Sequence, residues 1–133
     1  MENEIRVPIA SDADIVIARQ QGRSLAERLG FSATDQTIIA TAISEVARNI
    51  IKFAKRGEVI LSAIARNPSN GIKVIARDQG PGIPDIHLAL QDGYTTGTGL
   101  GMGLPGCKRL MDEMDIKSIL RKGTTVTMKK WVP

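Results

Sequence analysis

The chain holds one cysteine, one histidine, one tryptophan, one tyrosine and two phenylalanines. A lone Cys107 cannot close an internal disulfide, so a packed core has to hold the fold, in keeping with a reducing compartment. His87 has no second ligand at metal-binding spacing and reads as a surface helix position. Aromatic residues make up 3%, which leaves little to stack along a single nucleic-acid strand. No apolar run approaches the roughly 20 residues that span a bilayer. The opening Met1-Glu-Asn-Glu4 lacks the positive-then-apolar order of a secretory signal. A cytoplasmic protein with no membrane and no nucleic-acid partner is therefore expected. A Gly-Lys-Ser/Thr phosphate loop is also missing.

What is present suits a globular chain. The 133 residues, 42% hydrophobic and 24% charged, fall within the commonest domain size, and one domain over 1–133 is expected. The net charge is +4 and the isoelectric point about 9.5. Yet Arg6, Arg19, Arg23, Lys52, Lys108, Arg109, Lys129 and the other basic residues are scattered, so a solvated surface and an anionic nucleotide account for the charge.

Element signals follow in order. Ile5–Ile9 reads as a strand, with Pro8 marking an edge or an end. Ser11 with Asp14 is a capping-box pattern opening a helix that Gly30 closes, and Gly22 inside it points to a close packing contact. Ser32 with Asp35 opens a second helix, whose apolar residues recur at three- and four-residue steps from Ile39 to Phe53 until Lys55-Arg-Gly57 stops it. Val59–Ala65 and Ile72–Ala76 read as strands joined across Asn67–Gly71. A short helix near Asp85–Gln91, a helix over Leu104–Met114 and strands over Ile116–Leu120 and Thr124–Trp131 follow. Helices first and adjacent strands after them argue for an α+β, two-layer sandwich: helices on one face of a mixed, mostly antiparallel sheet. The other face would be half exposed.

Three segments carry chemistry. Glu45, Asn49 and Lys52 are spaced to share one side of the second helix. An amide oxygen such as that of Asn49 is a sufficient protein ligand for Mg²⁺ on nucleotide phosphates. A carboxylate one turn away, Glu45, can orient or deprotonate an attacking hydroxyl. Asp78 follows a strand and precedes Gly80-Pro-Gly82, where a carboxylate can accept from an adenine amine while glycines let the base approach. Gly97, Gly99, Gly101 and Gly103 alternate before a helix, offering backbone N–H groups to phosphates. Singly, each has an ordinary explanation: a solvated helix stripe, an Asp turn, a loop. The Gly-x-Gly-x-x-Gly match at Gly101–Gly106 is not a dinucleotide fingerprint, because no strand directly precedes it.

Together the segments carry a resemblance. Glu-x-x-x-Asn on a helix, Asp-x-Gly-x-Gly after a strand, an alternating-glycine lid and the late Gly123-Thr124 resemble the boxes of the gyrase, Hsp90, histidine kinase and MutL (GHKL) superfamily, with its Bergerat-type ATP-binding fold. The run from Asp78-Gln-Gly-Pro-Gly-Ile to Gly-Leu-Pro-Gly-Cys-Lys-Arg is similar to the small serine/threonine kinases that regulate bacterial stress and sporulation sigma factors, most closely the RsbT type of the stressosome.

The resemblance implies roles. Asn49 would hold Mg²⁺ and Glu45 would be the catalytic base or water-orienting acid. Lys52 would stand near the phosphates, Asp78 would bind the adenine amine, and Gly80 and Gly82 would shape the base pocket. Gly99, Gly101 and Gly103 would line the lid, and Thr124 or Thr125 would assist Asp78. The lid departs from the related anti-sigma kinases, since Thr98 and Gly99 stand where an arginine is expected. The implied activity is Mg·ATP-dependent phosphorylation of STAS-domain partners, followed by activation of a PP2C-type phosphatase. Direct binding of a sigma factor, as an anti-sigma kinase or a nucleotide-gated interaction switch, is the alternative.

Overall fold

A computed structural model of the chain describes residues 4–83 and 103–133. The elements run β1 (Ile5–Ile9), α1 (Asp12–Leu29), α2 (Ala33–Ala54), β2 (Gly57–Arg66), β3 (Ser69–Asp78), α3 (Gly103–Leu110), β4 (Glu113–Ile119) and β5 (Gly123–Trp131). The strands form one sheet in the order β1-β2-β3-β5-β4, and each neighbouring pair is antiparallel.

The helix ends follow the cap chemistry. The Asp14 carboxylate accepts the N–H groups of Ala10 and Ser11 at 2.9 and 3.1 Å, satisfying donors that have no partner within α1. Gly30 closes α1 in the left-handed region at φ 97°, where a side chain would be strained. The Ser32 hydroxyl accepts the Asp35 N–H at 3.1 Å and starts α2, which ends where Lys55 takes φ 71°. The close contact expected at Gly22 is present: a Cβ there would overlap the Cδ1 of Ile43.

Period-two alternation sends Val7, Ile9, Val59, Leu61, Val74, Val126 and Met128 inward against Ile39, Ile43, Val46 and Ile50 of α2, in one buried cluster. Contiguous apolar burial of this kind is the main stabilising contribution, about 1.5–3 kcal/mol for each large side chain. On the other face Ile60 and Ile75 are directly paired, beneath a polar layer in which Glu58 meets Arg6 at 3.2 Å and Arg77 at 3.6 Å. That face is thus mostly charged and hydroxylic. At its far end the Trp131 ring lies against Gly71 and under Arg66, 4.1 Å from the centroid, and its indole N–H donates to Glu113 at 2.7 Å.

Two boundaries differ from the sequence expectation. The β2–β3 connection tightens to Asn67-Pro68, so Ser69 and Asn70 already belong to β3. The last helix stops at Leu110 and does not continue to Met114. The Asp112 N–H goes to the Lys129 carbonyl at 2.9 Å, and Lys130 Nζ caps the Leu110 carbonyl at 3.1 Å, so β4 begins at Glu113. The alternation of exposed Glu113, Asp115 and Lys117 with half-buried Met114, Ile116 and Ser118 is the strand signal that a helical reading passes over. The short helix expected near Asp85–Gln91, with His87, lies outside the described residues. Among those described, no helix is long and apolar enough to cross a membrane.

Candidate active site

The second helix organises the site. Glu45 is buried, with 8% of its surface exposed, although it is charged. Its Oε1 accepts Nη1 of Arg48 at 3.0 Å, from the next turn. A carboxylate withdrawn from water needs such a partner, because an unpaired buried charge costs several kcal/mol. Beside it stands Cys107, just past the middle of α3. Burial first, and the Glu45 charge second, push that thiol up to about 12. The Cys107 sulfur lies 3.7 Å from the Ala42 carbonyl.

Asn49 is half-buried one turn beyond Glu45, and its side-chain amide has no hydrogen-bond partner among the described residues. Lys52 is exposed, its ammonium 5.4 Å from the centre of the Phe53 ring. Further along, Ala54 touches the turn after β3: a Cβ on Gly80 would stand 2.6 Å from the Ala54 Cβ. The helix therefore runs from Glu45, beside α3, to Ala54, beside the Gly80 turn. Nine residues cover about 13.5 Å of axis.

Asp78 ends β3 and is half-buried. Its Oδ1 accepts the Gly80 N–H at 2.8 Å and the Thr124 N–H at 3.3 Å. No donor among the described residues reaches Oδ2. Gly82 sits at φ 83°, with a built Cβ 2.7 Å from the Ile119 carbonyl, and Gly123 at φ 131° presses on the Asp78 backbone. Glycine at these two positions is a steric requirement, because both the left-handed backbone and the close approach exclude a side chain.

Thr124 lies on the inner face of β5, buried, with its hydroxyl 2.9 Å from that of Ser118. Thr125, one residue on, faces the other side of the sheet between Arg77 and Lys117, so only Thr124 shares a face with Asp78. Gly103 begins α3 at φ 61°. Gly99 and Gly101 lie outside the described residues. Two residues were missed in the sequence. Ser118 receives the Ile83 N–H at 2.7 Å and so ties the Asp78 turn to β4; its inward phase in the Met114, Ile116, Ser118 alternation was the available signal. Arg48 is the other, legible only as a cation three residues from Glu45.

Along α2 stand an acceptor oxygen (Asp78 Oδ2) near one end, an amide (Asn49) midway and a buried carboxylate (Glu45) toward the other. Among the described residues no three His, Cys, Asp or Glu side chains gather to hold a metal. A cation here would be held by one amide oxygen and its ligand's own oxygens, which suits Mg²⁺.

Residues 34–133 match the histidine kinase-, DNA gyrase B- and HSP90-like ATPase family. The serine/threonine-protein kinase RsbT of Bacillus subtilis (strain 168) is 48% identical over 132 residues, covering 99% of each chain. An anti-sigma F factor of Geobacillus stearothermophilus is 32% identical over 138 residues, covering 98% of this chain and 93% of the relative. Among solved structures, the RsbU and RsbW domains of a Mycobacterium tuberculosis protein superpose with a TM-score of 0.63 at 21% identity, over all of this chain and 33% of that one. A mycobacterial sensor histidine kinase, MprB, superposes with a TM-score of 0.57 at 16% identity, over all of this chain and 99% of that one. At those identities the two structures establish the fold alone.

Proposed function

The chain belongs to the histidine kinase-, DNA gyrase B- and HSP90-like ATPase family, as a serine/threonine protein kinase of the RsbT type, and we propose that it transfers the γ-phosphoryl group of Mg·ATP to a STAS-domain partner. The carrying observation is the placement of Glu45 and Asp78 at the two ends of one stretch of α2, a span that an extended nucleoside triphosphate covers.

Asp78 would take the adenine amine on Oδ2, because Oδ1 is committed to the Gly80 and Thr124 N–H groups. Gly80 and Gly82 would shape the base pocket, because without side chains the turn can close against Ala54 and the Ile119 carbonyl. Asn49 would hold Mg²⁺, which when bound supplies charge neutralisation on the phosphates. Lys52, exposed one turn beyond Asn49, would stand near the phosphates, and Gly99, Gly101 and Gly103 would supply lid N–H groups.

In the transfer, the partner's serine or threonine hydroxyl attacks the γ-phosphorus. Its oxygen forms the new P–O bond, its proton passes to Glu45 Oε2, and the bond to the bridging β–γ oxygen breaks to release ADP. Base assistance of this kind contributes about 10²- to 10⁴-fold. The kinase then binds and activates a PP2C-type phosphatase in the partner switch.

The test is transfer of labelled γ-phosphate to a STAS-domain protein by wild type, Asp78→Asn and Glu45→Gln. Asp78→Asn should lose ATP binding, whereas Glu45→Gln should bind ATP and fail in turnover; full activity in both removes the assignment. A second reading, a nucleotide-gated switch that binds a sigma factor, is favoured by the 32% identity to an anti-sigma F factor. A stable ATP-dependent complex without phosphate transfer would select it.

A further inference from the structure

Glu45 has one hydrogen-bond donor among the described residues, and that donor holds only half of the carboxylate. Arg48 Nη1 reaches Oε1 at 3.0 Å, and none reaches Oε2. The neighbouring thiol does not compete, since Cys107 points its sulfur to the Ala42 carbonyl at 3.7 Å. At 100° per residue, Arg48 lies about 60° to one side of Glu45 around the helix and Asn49 about 40° to the other. The carboxylate is thus flanked by a cation on one side and a free amide on the other.

The asymmetry of exposure is informative. The Glu45 side chain is 11% exposed and that of Arg48 48%. An ordinary ion pair one turn apart on a helix is solvated at both ends and contributes only a few tenths of a kcal/mol. Here one end is withdrawn under α3, where its orientation depends on the single contact it makes.

We propose that Arg48 is the positioning residue of the transfer: it pins Oε1 of Glu45 so that Oε2 faces the Asn49 side, where the acceptor hydroxyl loses its proton. This rests on Glu45 being the base. Arg48 does not touch nucleotide or acceptor in this role, so it acts on turnover and not on ATP affinity.

The experiment compares wild type, Arg48→Lys, Arg48→Gln, Arg48→Ala, Glu45→Gln and the double variant Arg48→Ala/Glu45→Gln. Single-turnover hydrolysis of Mg·ATP is measured, with water as acceptor, beside ATP affinity by calorimetry. Arg48→Ala should lower the rate constant about 10- to 100-fold, as misplacement of a reacting group does, and leave the dissociation constant for ATP within about twofold. Arg48→Lys should recover most of the rate. In the Glu45→Gln background the loss of Arg48 should add nothing, because the oriented group is gone. Should Arg48→Ala not fold, the contrast between Arg48→Lys and Arg48→Gln carries the test.

A raised dissociation constant with the rate retained would make Arg48 a phosphate contact and overturn the proposal. Losses that multiply in the double variant would overturn it too. Full hydrolysis by Glu45→Gln defeats the base assignment itself, whereas a slow Glu45→Gln beside a fully active Arg48→Ala defeats only the role of Arg48.

Discussion

The N–H of Thr124, on β5, donates to Oδ1 of Asp78, at the end of β3, and shares that oxygen with the N–H of Gly80. One carboxylate oxygen therefore holds a turn and a strand together, and no donor among the described residues reaches the other. Asparagine keeps the first function, since its carbonyl oxygen still accepts two N–H groups. It reverses the second, because an NH₂ donor then meets the amine donor of adenine. Asp78→Asn should thus fold with nearly unchanged thermal stability and bind ATP at least about 100-fold more weakly, an effect of unpaired polar groups in a specific site. Calorimetric titration beside a melting curve checks both halves. Asp78→Ala should in addition lose about 1–3 kcal/mol of stability, because two N–H groups lose their acceptor.

Gly123 has the backbone of Asp78 against its Cα and sits at φ 131°. Gly123→Ala should destabilise the chain by about 1–3 kcal/mol in urea unfolding, the range for a strained backbone position. ATP binding should weaken as well, since the displaced atoms are those of Asp78. Unchanged stability and affinity would show that the β5 start can shift without moving Asp78.

Burial and the Glu45 charge raise the Cys107 thiol from 9.0 to about 12. Between those values the unfolded chain releases the thiol proton and the folded chain keeps it. Stability from this group is therefore complete below pH 9 and falls as pH rises toward 12, by at most about 1.4 kcal/mol per pH unit. Unfolding curves at pH 8.5, 9.5 and 10.5 should show a steeper alkaline loss in wild type than in Cys107→Ala, whatever the cavity costs the variant at neutral pH. The same burial predicts slow reaction with thiol reagents near pH 7 in the folded protein and fast reaction once urea unfolds it.

Gly22 and Ile43 test the α1–α2 contact. A methyl at position 22 meets the terminal Cδ1 of Ile43, which is fully buried. Gly22→Ala should cost about 1–3 kcal/mol in spite of its better helix propensity, as overpacked cores do. Ile43→Val removes the clashing carbon. The double variant should be more stable than the sum of the single effects predicts, and strict additivity would place the strain elsewhere.

Much of this was legible because the signals were local. Ser11–Asp14, Ser32–Asp35 and Gly30 act within a few residues of where they stand, and α1 and α2 have the expected limits to within a residue or two. Glu45, Asn49 and Asp78 stood out in the sequence as an expected set by their order along the chain. Other parts depended on neighbours distant in sequence. The end of α3 is decided by Lys129 and Lys130 capturing the backbone around Asp112 and Leu110, a contact invisible from residues 104–114 alone. The separation of Thr124 from Thr125 needed the phase of β5, which depends on its partner β3. Ser118 joins the site only because the Ile83 N–H comes to it from 35 residues away.

The turn at Gly80–Gly82 has no regular element of its own. The last turn of α2 presses on it at Ala54 from one side, and the β4–β5 hairpin receives it on the other, where the Pro81 carbonyl accepts the Arg121 N–H at 2.7 Å. The proposed seat for the base is therefore a joint between two layers, and its width is set by how far the helix stands from the edge of the sheet. Substitutions in the hairpin tip around Ile119 and Leu120, which packs on Gly82, should therefore tune nucleotide affinity while leaving the proposed transfer residues unchanged, a shift that calorimetric titration of ATP would read.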